Sequence, residues 1–138
     1  MIDTNAIVLT YLRTSGLEAA VGGRIFCPRL PEGTSLPAIS FFTRGGSALP
    51  IKGADVSPSI QFDCWADNPI EARDLYGVLF EFLQGTGGYY TASIAVTVGA
   101  DTAHILEAHE EVHGQDIRDI DLPKLFSVRA FFTIRMKA

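Results

Sequence analysis

A segment of strict alternation constrains the fold of this chain more than any other feature. Over residues 126–136 every second residue is apolar, and the residues between them are polar except Phe131. This period of two predicts a β-strand with one face on a core and the other facing water or a partner. Residues 59–65 and 91–98 alternate in the same way. Because one-sided strands are typical of antiparallel sheets, we expect a mostly antiparallel sheet with one buried face.

Two other segments carry the period of an amphipathic helix. Residues 5–15 follow a capping Asp3 or Thr4 and place four apolar side chains on one face. Residues 69–84 follow a capping Asp67 or Asn68, begin with a proline, and keep apolar residues at helical spacing up to a glycine-rich stop. The predicted fold is therefore α+β, with two main helices packed on one face of the sheet. The length of 138 residues fits a single domain, 1–138.

Composition excludes several classes of protein. The chain is 47% hydrophobic and 20% charged, with a net charge of −5, which is typical of a globular protein and not of a disordered one. We expect no membrane partner, because no window approaches the roughly 20 apolar residues that span a bilayer. We also expect no export signal, because Asp3 stands where a signal peptide is basic. The acidic pI of about 5.0 argues against general nucleic-acid binding. Cys27 and Cys64 are too few for a disulfide framework and predict buried thiols in a reducing compartment.

The charges are unevenly distributed along the chain. Residues 101–121 carry seven acids against Arg118 alone, and the last 15 residues carry four basic side chains and no acid. One interpretation is two neighbouring strands whose charges compensate each other. The other is an acidic rim on an oligomer or its lumen. The sequence leaves both open.

Residues 109–113 match the zinc-protease motif H-E-x-x-H, with His109 and His113 as ligands and Glu110 as the general base. The motif requires a helix, whereas residues 101–114 fit a helix or a strand. Gly114 leaves no flanking turn, and the third ligand of a catalytic zinc is not marked out. We therefore favour a solvated polar strand face and predict neither metal nor cofactor. A small zinc-dependent hydrolase is the remote alternative.

Aromatic residues interrupt two otherwise polar strand faces. Trp65 and Phe131 fit either partial burial under a loop or a subunit interface, where aromatic residues are enriched. We also predict that loops at 45–58 and 113–124 take part in assembly contacts. The candidate oligomer or partner interface is Trp65, Phe131, Arg129, Arg135, Lys52, Asp55, Asp116 and Asp119.

The order of elements and several short motifs resemble a known family. A "P-x-I" strand begins at Pro37, a "Q-x-D-x-W-A" strand at Gln61, and a helix carries the "E-A" start at Glu71. Together with the alternating strand over 126–134, these features resemble the tail-completion (tail-terminator) proteins of phages with long non-contractile tails and of gene transfer agents. The specific motifs cover residues 37–41 and 60–75, and the order of elements covers nearly the whole chain. Residues 101–121 depart from the family in their density of acids and histidines.

The resemblance implies a structural role without catalysis. Such proteins form a ring, typically of six subunits, that caps the tail tube, ends its polymerisation and forms the surface that joins the head. The implied partners are further copies of the chain, the tail tube protein and a head–tail connector or stopper protein, with DNA passing through the lumen without specific binding. The implied location is the head-proximal end of the virion tail, assembled in the bacterial cytoplasm. The alternative within this class is a head-side connector or another head–tail joining protein.

Overall fold

A computed structural model describes residues 3–13, 17–48, 56–84, 94–118 and 125–137. The predicted α+β class is confirmed, with helices and a six-stranded sheet in the described part of the chain. The helices are α1 (Thr4–Arg13), α2 (Leu17–Val21) and α3 (Pro69–Gln84). The strands are β1 (Ile25–Phe26), β2 (Ala38–Ala48), β3 (Val56–Ala66), β4 (Ile94–Val98), β5 (Asp101–Arg118) and β6 (Phe126–Lys137).

The sheet has the order β1-β2-β3-β6-β5-β4. Only the short β1 runs parallel to its neighbour β2, and the other described pairings are antiparallel, as predicted. Helix α3 packs on the central strands β3, β6 and β5. Helix α1 contacts β4 at one edge and β1 and β2 at the other, so the sheet curves around the helix layer.

The two main helices begin at the predicted caps. The Ala6 N–H donates to Asp3 Oδ1 over 3.2 Å, and the Glu71 N–H donates to Asn68 Oδ1 over 2.8 Å. Both contacts satisfy backbone donors that the first helical turn leaves free. The short α2 was not predicted, because five residues with two buried apolar side chains show too little periodicity.

The core lies between the helices and the concave face of the sheet. Its centre is a row of three buried rings on adjacent strands, Phe41, Phe62 and Phe132, with centroids 5.8 and 5.7 Å apart. Aromatic pairs at these separations add stability beyond the area they bury. Along β6 the six apolar positions of the alternation all face this core, and only Phe126 is partly exposed.

Two predicted loops are partly wrong, because the strands extend into them. Strands β2 and β3 continue pairing from Gly46↔Pro58 to Ala48↔Val56, and Gly45, at φ 125°, accommodates the change of register. Residues 113–118 belong to β5, so the open question over 101–114 is resolved as a strand. Residues 49–55 and 119–124 lie outside the described residues. No helix in the described part of the chain is long and apolar enough to cross a membrane.

Candidate functional site: the outer face of the sheet

The convex surface of the sheet, opposite the helices, carries polar and aromatic side chains. Alternation places Gln61, Asp63 and Trp65 there, because Phe62 and Cys64 between them are buried in the core. No helix in the described ranges covers this surface. We call it the outer face and define it by Ser40, Phe42, Arg44, Ser59, Gln61, Asp63, Trp65, Glu107, His109, Glu111, Ser127, Arg129, Phe131, Thr133, Arg135 and Lys137.

Trp65 is half-buried and lies among buried hydroxyl groups. Its indole Nε1–H donates to Ser40 Oγ over 2.9 Å. Ser127, directly opposite Trp65 on β6, is also buried, and its hydroxyl has no hydrogen-bond partner among the described residues. This part of the outer face is therefore drier than the polar sequence pattern predicts.

A charged pair crosses from β3 to β6 beside it. Arg129 Nε donates to Asp63 Oδ1 over 2.9 Å, and Gln61 Nε2 donates to Asp63 Oδ2 over 3.1 Å. The Asp63 side chain is 8% exposed and that of Arg129 is 36% exposed. Two charge-assisted bonds thus hold the carboxylate within the sheet surface, while the guanidinium faces outward.

A second network spans four strands and is centred on Glu111. Arg44 donates from Nη2 to Glu111 over 3.1 Å and from Nε to Ser59 Oγ over 2.9 Å, and Thr133 donates to the same carboxylate. The Arg44 guanidinium also lies 4.0 Å from the centre of the Phe131 ring, a cation–π contact. Burial opposes ionisation of Glu111, but the hydrogen bonds from Thr133, Ser59 and Arg44 outweigh it, so the pKa of Glu111 lies below its ordinary value.

Both ion pairs present the cation to the outside. Arg44 is 41% exposed against 25% for Glu111, which repeats the asymmetry of Arg129 over Asp63. Arg135 and Lys137 are exposed on the same face near the end of β6. The outer face carries four basic side chains against three acids, Asp63, Glu107 and Glu111, and two of these acids are less exposed than the arginines paired with them. It is therefore electropositive towards an approaching partner.

The H-E-x-x-H residues lie in strand β5 and not in a helix. Alternation places His109 on the outer face, opposite Thr133, whereas Glu110 faces the helices and accepts a hydrogen bond from the Tyr76 hydroxyl. His113 Nδ1 lies 2.9 Å from Glu110 Oε1. The two histidines thus lie on opposite sides of the sheet, so this segment does not have the geometry of a zinc protease. No group of three or more potential metal-ligating side chains occurs in the described ranges.

Tyr76 and Gly114 join α3 to β5. The Gly114 N–H donates to the Tyr76 hydroxyl over 3.2 Å, and Arg73 donates to the Gly114 carbonyl over 3.1 Å. Burial and the hydrogen bond to Glu110 raise the pKa of Tyr76 to about 12. The phenol therefore stays protonated and donates to the Glu110 carboxylate. This cluster stabilises the packing of the helix on the sheet.

The two thiols are not activated. Burial, reinforced by the Asp63 charge, raises the pKa of Cys64 far above its ordinary value. Burial and the Asp3 charge also raise the pKa of Cys27. Both side chains are free thiols, and neither environment favours the thiolate that a cysteine nucleophile requires.

The predicted interface residues fall into three groups. Trp65, Phe131, Arg129 and Arg135 all lie on the outer face, with Arg135 towards the far end of β6. Asp116 faces the helix side, where Arg73 Nη2 donates to it over 2.6 Å. The other predicted residues, Lys52, Asp55 and Asp119, lie outside the described residues.

Sequence reasoning missed Arg44 and Glu111, which organise the larger network. They are 67 positions apart in the chain, and only the register of β2, β3, β6 and β5 brings them together. The β-rich pattern around Arg44 was visible in the sequence. The partner of Arg44 was not, because strand order is a tertiary property.

Comparisons with known proteins identify a likeness in fold only. No protein-family model matches the chain, and no curated protein sequence matches it. The chain is similar in structure to a chain of the virion of a native gene transfer agent particle, with a TM-score of 0.64 and 15% sequence identity. The superposition covers 98% of this chain and 95% of that chain. At this identity the likeness establishes a shared fold along nearly the whole length of both chains.

Proposed function

We propose that this chain is a non-enzymatic structural subunit of a phage-type particle. It forms a ring at the head-proximal end of the tail tube, ends polymerisation of the tube and provides the surface that joins the head. Residues 1–138 act as a single domain in this role. The partners are other copies of the chain, six to a ring, the tail tube protein and a head–tail connector or stopper protein. Assembly takes place in the bacterial cytoplasm.

The observation that carries this proposal is the fold shared with a gene transfer agent virion chain over nearly the full length of both. The superposition includes 98% of this chain and 95% of that chain. The short motifs at 37–41 and 60–75 point independently to the tail-terminator family of such particles. Because fold alone does not fix function, the tail-end role is inferred from the two together.

The chemistry of the described residues supports a role without catalysis. Both cysteines are disfavoured as thiolates, and the titratable cluster around Tyr76 joins a helix to the sheet. The H-E-x-x-H residues are divided between the two sides of β5. None of these groups has the mutual geometry of a nucleophile with its base.

The outer face supports a role in assembly. It carries the half-buried aromatic residues Trp65 and Phe131 among ordered arginine networks. Aromatic residues and arginine are the side chains enriched where proteins meet. The net negative charge of the chain, −5, suits a lumen through which DNA passes without binding.

Deletion of the gene from a particle-producing host tests the proposal. The expected result in electron micrographs is tails of uncontrolled length that fail to join heads. Complementation with the wild-type gene should restore uniform, joined tails. Tails of normal length in the deletion strain would contradict the capping role.

A head-side connector is the second candidate, because α+β domains of this size also fit head–tail joining. The same micrographs separate the two functions. A connector deletion leaves full heads beside unjoined tails of normal length, whereas a terminator deletion changes tail length itself.

A further inference from the structure

The solvent side of α3 carries a stripe of exposed acidic and apolar side chains. Ile70, Glu71, Asp74, Val78 and Glu81 follow the i, i+3, i+4 spacing of one helix face and are all exposed. Ile70 and Val78 are the exposed large hydrophobic residues of the described chain. No ion pair to the three carboxylates occurs among the described residues. We call these five residues the α3 stripe.

The charge beside the α3 stripe is also negative. The neighbouring Arg73 is paired with Asp116, and in this pair the carboxylate is the more exposed partner, at 67% against 40%. This asymmetry is the reverse of that on the outer face, where Arg44 and Arg129 are more exposed than their carboxylates. The helix side of the subunit therefore presents carboxylates and the sheet side presents guanidinium groups.

Apolar residues match across the two surfaces as well. Ile70 and Val78 are eight residues apart on the helix, which is about 12 Å along its axis. On the outer face, Phe131 pairs with Gln61, four residues from Trp65 along β3. The two aromatic residues are thus about 14 Å apart, counting the strand rise and one strand spacing. A helix laid on the outer face can place Ile70 and Val78 against Trp65 and Phe131.

We propose that the α3 stripe of one copy docks on the outer face of the next copy. Asp74, between the two apolar contacts, then lies over Arg129, and Glu81, about one turn beyond Val78, lies towards Arg44 and the end of β6. The proposal rests on the proposed function, because it names the surfaces by which successive subunits of the ring join.

The position of the two surfaces decides the kind of assembly. They lie on opposite sides of the two-layer domain, so the contact is heterologous and each subunit keeps one free surface of each kind. A heterologous contact closes into a ring when its rotation permits, and otherwise gives an open filament. A two-fold dimer through the outer face alone would instead place arginine against arginine.

Charge reversal on each surface tests the contact in the full-length chain. The helix set is Asp74→Lys/Glu81→Lys, and the sheet set is Arg44→Glu/Arg135→Glu. Analytical ultracentrifugation and native mass spectrometry measure assembly. Each set alone should weaken self-association by about tenfold or more, because like charges then face each other. The chain carrying both sets should recover assembly, because the charges are again complementary.

A control matched to the helix set carries the same change in net charge at exposed sites away from both surfaces, Glu32→Lys/Asp101→Lys, and should assemble like the wild type. Circular dichroism establishes that each variant is folded. A second measurement needs no variant, since association of the wild type should weaken as salt is raised.

Three results would overturn this contact: a strictly monomeric wild type up to its solubility limit, unchanged assembly of the helix set, or no recovery in the combined variant. These results are distinguishable from failure of the proposed function. A chain whose deletion leaves tail length and head joining unchanged fails that function even if it assembles through these surfaces.

Discussion

Substitution of Gly114 by alanine tests the packing of α3 on β5. A Cβ atom at this position would lie 2.7 Å from Val128 Cγ1 and 2.8 and 2.9 Å from two carbons of the Tyr76 ring. Both neighbours are buried, and Tyr76 is held by hydrogen bonds to Glu110 and Gly114. Movement of either side chain away from the added methyl group would therefore lose core packing or hydrogen bonds.

The expected destabilisation follows from three contributions. Overpacking of a buried site costs about 1–3 kcal/mol. Displacement of the Tyr76 hydroxyl weakens its bonds with Glu110 and the Gly114 N–H, at about 1 kcal/mol each. Alanine offsets about 0.4–1 kcal/mol by restricting the unfolded chain. The free energy of unfolding should therefore fall by about 2–5 kcal/mol.

Urea denaturation followed by circular dichroism measures this change. The matched control is Gly77→Ala in the middle of α3, where a Cβ meets nothing within 4 Å. It should stabilise the protein by about 0.5–1 kcal/mol, because alanine is the better helix former. If Gly114→Ala unfolds at the same urea concentration as the wild type, the described contact between Tyr76 and β5 is incorrect.

Three further predictions concern the core, the phenol and the outer face. Phe62→Ala should lower the free energy of unfolding by about 3–5 kcal/mol in urea titrations, because the ring packs between two other buried rings; a loss below about 1 kcal/mol would contradict that packing. The pKa of Tyr76 is raised from 10.0 to about 12, so the folded state keeps the phenol proton to a higher pH than the unfolded state does. The contribution of the protonated phenol to the free energy of unfolding is therefore complete below pH 10 and is lost as pH rises towards 12. Tyr76→Phe should remove that part of the alkaline decline, and an unchanged stability–pH curve would refute the assignment. Arg129→Ala should lower the free energy of unfolding by about 1–3 kcal/mol, because it leaves the Asp63 carboxylate within the sheet surface without its cation. The double variant Asp63→Asn/Arg129→Ala should recover much of that stability. Equal losses of stability in the single and double variants would count against the ion pair.

Much of the fold was readable from local patterns. The alternation of β6 and the apolar positions of α3 identified core residues. A period of two places alternate residues on one face of a strand, and a period of about 3.6 places the apolar residues on one face of a helix. The sequence offered two candidate caps for each main helix, and the structure shows Asp3 and Asn68 in that role. Glycines misled the assignment of strand ends, because Gly45 and Gly114 lie within strands at bulges and close contacts.

The arrangement of the outer face was only partly readable. Trp65 and Phe131 stood out as aromatic residues on polar strands, and both are half-buried on that face. The Arg44–Glu111 network and the opposite placement of Asp116 depend on strand order and on bulges in β5, which local sequence does not encode. The α3 stripe was not predicted, because helical periodicity identifies the buried face of a helix and does not indicate what the opposite face contacts.

Electron cryo-microscopy of the purified particle tests the central claim most directly. The account predicts that this chain forms a closed ring at the head-proximal end of the tail tube, between the last tube ring and the head connector. Finding the chain elsewhere in the particle, or not in the particle at all, would contradict it.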